Sequence, residues 1–324
     1  MTSKLNILNY GAGAVGLGLD SFLLKSGADT AILCRTNTAA ALRESGLVRQ
    51  GIFGPFQALP EALRVFTTLD DLPQQPFDYI LVTVKSFDSA AASNDLAQHP
   101  SLWNKDTKII LCQNGWGNAE IFAKHFPKEQ IFNARVITGF TRPQLNEVEI
   151  TVHADAVHIG SLFQENLNGI EKLCHAINAG GLPCMPFKDI AKDLWAKMLY
   201  NCALNPLGAV LGVSYGELGA SQHTRAIMND IIREIYAVMR ASGYSTHWPS
   251  PQEYIKVFYE KLVPATAEHK SSTLQSLRSG KKTEIAALNG IVITLAERHG
   301  LDVPVNRSVT EMVRFLERNT PPRG

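Results

Sequence analysis

The 324-residue chain has almost no charge imbalance: 31 Lys and Arg stand against 30 Asp and Glu, for a formal net charge of +1. That excludes the electrostatic footprint of a nucleic-acid binder or of a protein held on an anionic membrane. Long hydrophobic runs are missing too. The longest, such as Tyr79–Val84, are strand-length, well short of the ~18 residues of a membrane-spanning helix. Met1–Asn9 has no charged leader before an apolar core, so no signal peptide is expected and the chain reads as cytoplasmic. Cysteine is sparse: Cys34, Cys112, Cys174, Cys184 and Cys202 are odd in number and never spaced C-x-x-C. A disulfide framework or zinc site is not expected, nor any other metal, which leaves buried reduced thiols. No internal repeat or low-complexity tract occurs, and the tail from Thr320 is expected to fray.

The apolar share is 45%, enough for about two cores at ~150 residues per domain. The first half alternates strands and helices. Leu5–Leu8, Thr30–Cys34, Tyr79–Val84 and Lys108–Cys112 read as buried strands, and Leu17–Lys25 as a helix stopped by Gly27. This alternation predicts an α/β architecture with a parallel, doubly wound sheet. Glu149–Val152 and Val157–Ile159 read as a late hairpin turning around Ala154 and Asp155. After Gly180-Gly181-Leu182-Pro183 the helical period takes over in Ile190–Ala209, Thr224–Ala241, Ala265–Arg278 and Glu284–His299. We therefore expect a dinucleotide-binding domain of Rossmann type over 1–187 and an all-α domain over 188–324.

Gly11-Ala12-Gly13-Ala14-Val15-Gly16 is a G-x-G-x-x-G between a strand and a helix. The motif alone is weak, and a structural turn is the alternative. Its context points to a dinucleotide. Gly11 permits the tight turn, Gly13 lets backbone approach a pyrophosphate, and Gly16 allows close helix–strand packing. The helix N-terminus then offers N–H groups to phosphate. At the end of the second strand stands Cys34-Arg35-Thr36, without the acid that would bind an NAD ribose. Arg35 suits the 2′-phosphate of NADPH, with a solvated surface arginine as the alternative. Lys85 follows the strand at Leu81–Val84 and could add positive charge near the adenosine phosphates, or simply be exposed.

Lys197, Asn201 and Asn205 lie at i, i+4 and i+8 and share one helix face. Pro206 disfavours helical geometry at Asn205, so the helix is expected to kink or end there. An ordinary amphipathic helix would also account for this spacing. A positioned lysine suits carbonyl reduction: hydride addition leaves an alkoxide, which an ammonium stabilises and protonates. Glu284 follows Thr283, which reads as a helix N-cap. It is either an acid at a helix start or a carboxylate facing Lys197 across a cleft. Asn114, in Gln113-Asn114-Gly115, is either a turn residue or a group at the meeting point of cofactor and substrate.

Taken together, Gly11–Gly16, Val84-Lys85-Ser86, Gln113-Asn114-Gly115, Lys197-x3-Asn201-x3-Asn205-Pro206, Gly216-Glu217-Leu218, Ser271-Ser272 and Gly280-x-x-Thr283-Glu284-Ile285 resemble the ketopantoate reductases (2-dehydropantoate 2-reductases), nearly end to end. The resemblance implies NADPH-dependent reduction of ketopantoate to pantoate in the pantothenate and coenzyme A pathway. It implies Lys197 as proton donor, and Asn201, Asn205 and Ser272 on the substrate. Lys85 and Asn114 fall near the cofactor, and Glu284 where cofactor and substrate meet. The chain departs from the family pattern at Ser276 and Ala286, both usually Asp, and at Tyr215, commonly Asn. Ile137–Arg142, with Phe140, is bulkier than the usual Ala-rich stretch. Other readings are reduction of a different 2-oxo acid, a 3-hydroxy acid dehydrogenase of similar architecture, and a non-catalytic NADPH sensor. The expected partner is a small 2-oxo acid, and a homodimer is compatible with every reading.

Overall fold

The computed structural model describes residues 4–319, so the tail expected to fray lies outside the described residues. The chain forms two compact units. The first comprises residues up to Gln113 and Asn118–Ile190; the second comprises Asn114–Gly117 and the chain from Ala191 onward. Where one cut at Phe187 was expected, the division falls after Ile190 and includes an excursion at Asn114–Gly117.

In the first unit the order begins β1 (Asn6–Tyr10), α1 (Ala14–Lys25), β2 (Asp29–Leu33), α2 (Thr36–Ser45), β3 (Leu47–Gly51), β4 (Phe56–Ala58), β5 (Arg64–Phe66) and β6 (Tyr79–Val82). It continues with α3 (Ser89–Ala97), β7 (Lys108–Leu111), α4 (Asn118–Phe122), β8 (Ile131–Arg135), β9 (Thr138–Thr141), β10 (Glu147–His153), β11 (Val157–Gly160), α5 (Glu171–Gly180) and β12 (Cys184–Pro186). The main sheet runs β12-β11-β8-β7-β6-β1-β2-β5. From β8 to β5 every pairing is parallel, whereas β11 is antiparallel to β8. Both faces are covered: Ile7 packs with Leu19, Phe22 and Phe132, and its neighbour Leu8 with Ile80, Val82 and Phe122. β1 lies between β2 and β6, where the strand order reverses. Ligands of such sheets lie at the carboxyl edge of that point.

The late hairpin does not form. β10 joins a second sheet, ordered β4-β3-β10-β9, while β11 pairs with β8 in the main sheet. Each strand finds a more complete partner elsewhere: β10, with Val148 and Ile150 buried, pairs between β3 and β9, and β11 is buried along its whole length.

The second unit is helical: α6 (Ile190–Leu211), α7 (Tyr215–Ala220), α8 (Gln222–Ala241), α9 (Pro251–Val257), α10 (Val263–Ala265), α11 (Ser272–Arg278), α12 (Asn289–Arg298) and α13 (Pro304–Asn319). The expected helix over Ala265–Arg278 is broken. It stops at Ala265 and restarts where Ser271 accepts the Leu274 N–H at 3.0 Å. The expected helix from Glu284 instead opens as a 3₁₀ turn, Ile285–Ala287, before α12.

α6 does not end at Pro206 but runs on to Leu211. Proline has no N–H to give the carbonyl four residues back, which here is Cys202. The fully buried Asn289 replaces it, donating Nδ2 to that carbonyl at 3.1 Å and also lying 2.9 Å from Asn306 Oδ1. Asn289→Ala leaves a buried acceptor unmet, and is expected to cost about 1–3 kcal/mol at unchanged urea m-value. A change within the ~0.5 kcal/mol of a surface substitution would refute this account of α6.

Candidate active site

The glycine turn occupies the carboxyl end of β1. Gly11 has φ +122°, and a Cβ there would lie 2.9 Å from the Val84 nitrogen. A Cβ on Gly16 would sit 2.1 Å from the Gly11 carbonyl oxygen, so α1 starts closer to the turn than any other residue permits. Gly13 differs from both: among the described residues nothing beyond its own chain neighbours lies within 4 Å of its Cβ position. α1 begins with no side-chain cap and no acid in its first turn, so its first N–H groups face the open space by Gly13. A dinucleotide pyrophosphate fits this combination of crowded backbone and unfilled room.

A buried support behind the turn escaped sequence reasoning. Asp20, fully buried on α1, accepts from Asn9 Nδ2 at 2.7 Å. Asn9 Oδ1 lies 2.8 Å from the Thr83 hydroxyl, which also lies 2.5 Å from the Gly11 carbonyl. The single hydroxyl proton serves one acceptor at a time. Burial pushes the Asp20 carboxyl from 3.8 up to about 8, the Asn9 hydrogen bond offsetting only part of it. No local pattern marks such an acid; only its position on the inner face of α1 could have raised the question.

Arg35 is exposed and stands between β2 and α2 as the helix-cap residue. Lys85 is also exposed, and precedes the short 3₁₀ turn Ser86–Asp88 after β6. Both therefore follow carboxyl ends of sheet strands.

The second unit gathers the other predicted residues. Lys197, Asn201 and Asn205 lie along α6; the first two are half-buried and Asn205 is buried. Lys197 Nζ donates to Asn114 Oδ1 at 2.7 Å, and Asn114 Nδ2 lies 3.4 Å from Glu284 Oε2. The Asn114 amide thus links an ammonium to a buried carboxylate, since its two ends have opposite hydrogen-bonding character. Backbone geometry holds Asn114 in place. Gly115, at φ +90°, packs so tightly that a Cβ would lie 2.4 Å from the Ala287 carbonyl oxygen. Trp116 then donates its N–H to that same carbonyl at 3.0 Å, and its ring meets Trp195 at 4.7 Å and Tyr244 at 4.8 Å. This aromatic anchor was not foreseen, although Trp195 lies two residues before Lys197.

Around Asn205 the structure adds two partners. Ser271 donates its hydroxyl to the Asn205 carbonyl at 3.0 Å, and Tyr215 donates to Asn205 Oδ1 at 2.5 Å. Ser272 is the first residue of α11 and half-buried. Thr283 does not cap a long helix as expected: its hydroxyl accepts from Ile285 N at 3.2 Å, and Glu284 stands just ahead of the 3₁₀ turn. One ammonium, one carboxylate and three amides can polarise and protonate a carbonyl oxygen and hold small polar groups beside it.

Comparison with known proteins matches both stretches of chain. Residues 7–163 fit the family model described as "Ketopantoate reductase PanE/ApbA", and residues 189–317 fit "Ketopantoate reductase PanE/ApbA C terminal". The 2-dehydropantoate 2-reductase of Aquifex aeolicus is 35% identical over 314 residues, 97% of this chain and 97% of that protein. The crystal structure of a 2-dehydropantoate 2-reductase from Geobacter metallireducens superposes with TM-score 0.85 at 26% identity, covering 96% of this chain and 99% of its own. A D-mandelate dehydrogenase in complex with NADH and anilino(oxo)acetate has the same fold, with TM-score 0.86 at 21% identity over 97% of this chain and 99% of its own.

Proposed function

The chain belongs to the ketopantoate reductase family, and from that premise we propose that it reduces ketopantoate to pantoate with NADPH. The observation that carries the reading is the Lys197–Asn114–Glu284 chain of contacts, with Nζ 2.7 Å from Oδ1 and Nδ2 3.4 Å from Oε2. Gly11, Ala12, Gly13, Ala14, Val15 and Gly16 would hold the pyrophosphate, and Arg35 with Lys85 the adenosine phosphates. When bound there, the cofactor's nicotinamide would supply the hydride for the 2-oxo carbon.

The chain's own residues manage the resulting charge and proton. Lys197 directs its ammonium at the carbonyl oxygen and gives up a proton from Nζ as alkoxide develops. Asn114 Oδ1 fixes the direction of that ammonium, and Glu284 fixes Asn114. Asn201, Asn205 and Ser272 hold carboxylate and hydroxyl groups of the substrate without changing their own charge.

Steady-state assays of purified protein with NADPH and a panel of 2-oxo acids test this. Ketopantoate is expected to have the highest kcat/KM. A higher value for another 2-oxo acid, or NADH outperforming NADPH, would overturn the respective half of the reading. Arg35→Ala is expected to weaken NADPH about 10- to 100-fold, the range of a charged hydrogen bond, and NADH far less. Equal weakening in a fluorescence titration would remove Arg35 from the 2′-phosphate.

A further inference from the structure

Arg142, just beyond β9, belongs to the bulky stretch that departs from the family's Ala-rich sequence. Its Nη1 donates to the Ala12 carbonyl, inside the glycine turn, at 2.7 Å. One β9 neighbour explains the approach: Phe140 packs on α1 so closely that a Cβ on Gly18 would lie 2.4 Å from its ring. The second sheet thereby delivers a guanidinium to the mouth of the nucleotide turn. Arg142 is half-buried, and no ion pair joins it or Arg35 to a carboxylate among the described residues. Glu149, opposite Thr141 on β10, lies 3.4 Å from the Thr141 hydroxyl instead. Burial lowers the Arg142 pKa from the ordinary guanidinium value; Cys34 opposes that shift and Arg35 adds to it.

The glycine turn is thus reached by two guanidinium-bearing residues: Arg142 through Ala12, and Arg35 just past the end of β2, whose Leu33 carbonyl accepts the Gly11 N–H at 3.1 Å. A guanidinium has five N–H donors and no acceptor, so most of the donors on Arg142 remain for a ligand after the bond to Ala12. A dianion bound by the turn would use those donors and be attracted by both cations. The end of β2 is where the adenosine ribose 2′ group lies in folds of this type.

We propose that Arg142 is a second ligand of the cofactor's 2′-phosphate, closing on it from the β9 side while Arg35 holds it from the β2 side. This rests on the NADPH reading above. Its anchoring at Ala12 makes the clamp pre-organised, and selectivity between the two nicotinamide cofactors then depends on both sheets.

Calorimetric titration with 2′,5′-ADP and 5′-AMP tests it without any turnover. Arg142→Ala is expected to weaken 2′,5′-ADP about 10- to 100-fold and leave 5′-AMP within about twofold. Arg142→Lys, which keeps the charge and loses the fork, should recover part of the loss. If the alanine variant unfolds, Arg142→Gln, which keeps a donor to Ala12, should show the same selective loss. Unchanged 2′,5′-ADP binding overturns the proposal. So does equal weakening of both nucleotides, which would put Arg142 on a phosphate common to both. A wild-type protein that binds 5′-AMP as tightly as 2′,5′-ADP would instead overturn the NADPH reading itself.

Discussion

Lys197→Ala is expected to lower kcat about 10²- to 10⁴-fold, the span typical of a general acid. The ammonium does two things in the proposed reaction. It stabilises negative charge on the former carbonyl oxygen and provides the proton that quenches it. Both effects grow toward the transition state, so kcat and kcat/KM should fall together, with KM changing little. Lys197→Arg separates the two, because arginine keeps the positive charge and does not release a proton near neutral pH. It should recover little of the loss. A Lys197→Ala enzyme within about threefold of wild type, far below the span of general acid catalysis, would remove Lys197 from the chemistry. Asn114→Ala should show a smaller decrease, since it leaves the ammonium in place and frees its direction.

The second large effect concerns stability. Asp20 is fully buried, with Oδ1 lacking a hydrogen-bond partner among the described residues and its pKa raised by burial to about 8. In the folded state the carboxyl holds its proton through a range where the unfolded chain, near 3.8, has released it. The folded state then binds more protons than the unfolded one, so stability falls as pH rises. Its contribution is complete below about pH 4, declines between about 4 and 8, and levels off above that, on the order of 1 kcal/mol per pH unit in between. Asp20→Asn keeps an acceptor for Asn9 and removes the titration. Between pH 5 and pH 8, wild type should lose on the order of 3 kcal/mol relative to the variant, read from urea midpoints. Parallel profiles would mean that Asp20 is ionised in the folded protein.

Local signals carried the glycine turn and the α6 ladder. Gly11, Gly13 and Gly16 fall within six consecutive residues and act on one turn; Lys197, Asn201 and Asn205 needed only the helical period. Features that depend on distant partners were not legible. The course of α6 through Pro206 depends on Asn289, 87 residues from the carbonyl it serves. β10 and β11 looked like neighbours because they are adjacent in sequence, yet pairing is decided by which sheet completes each strand's buried face. Asn114 was singled out as a strand-end residue. The Trp116 and Ala287 contacts that hold it depend on residues as far away as the 3₁₀ turn ahead of α12.

The Asn114–Gly117 excursion has an outcome for protein engineering. A chimera spliced at Ile190 would take Asn114 from one parent and Lys197 and Glu284 from the other. Half-gene exchange would therefore never transplant the proton-handling group intact. A donor for that group must be matched at a tetrapeptide lying more than seventy residues upstream of the splice, and Trp116 is the side chain by which to judge the match.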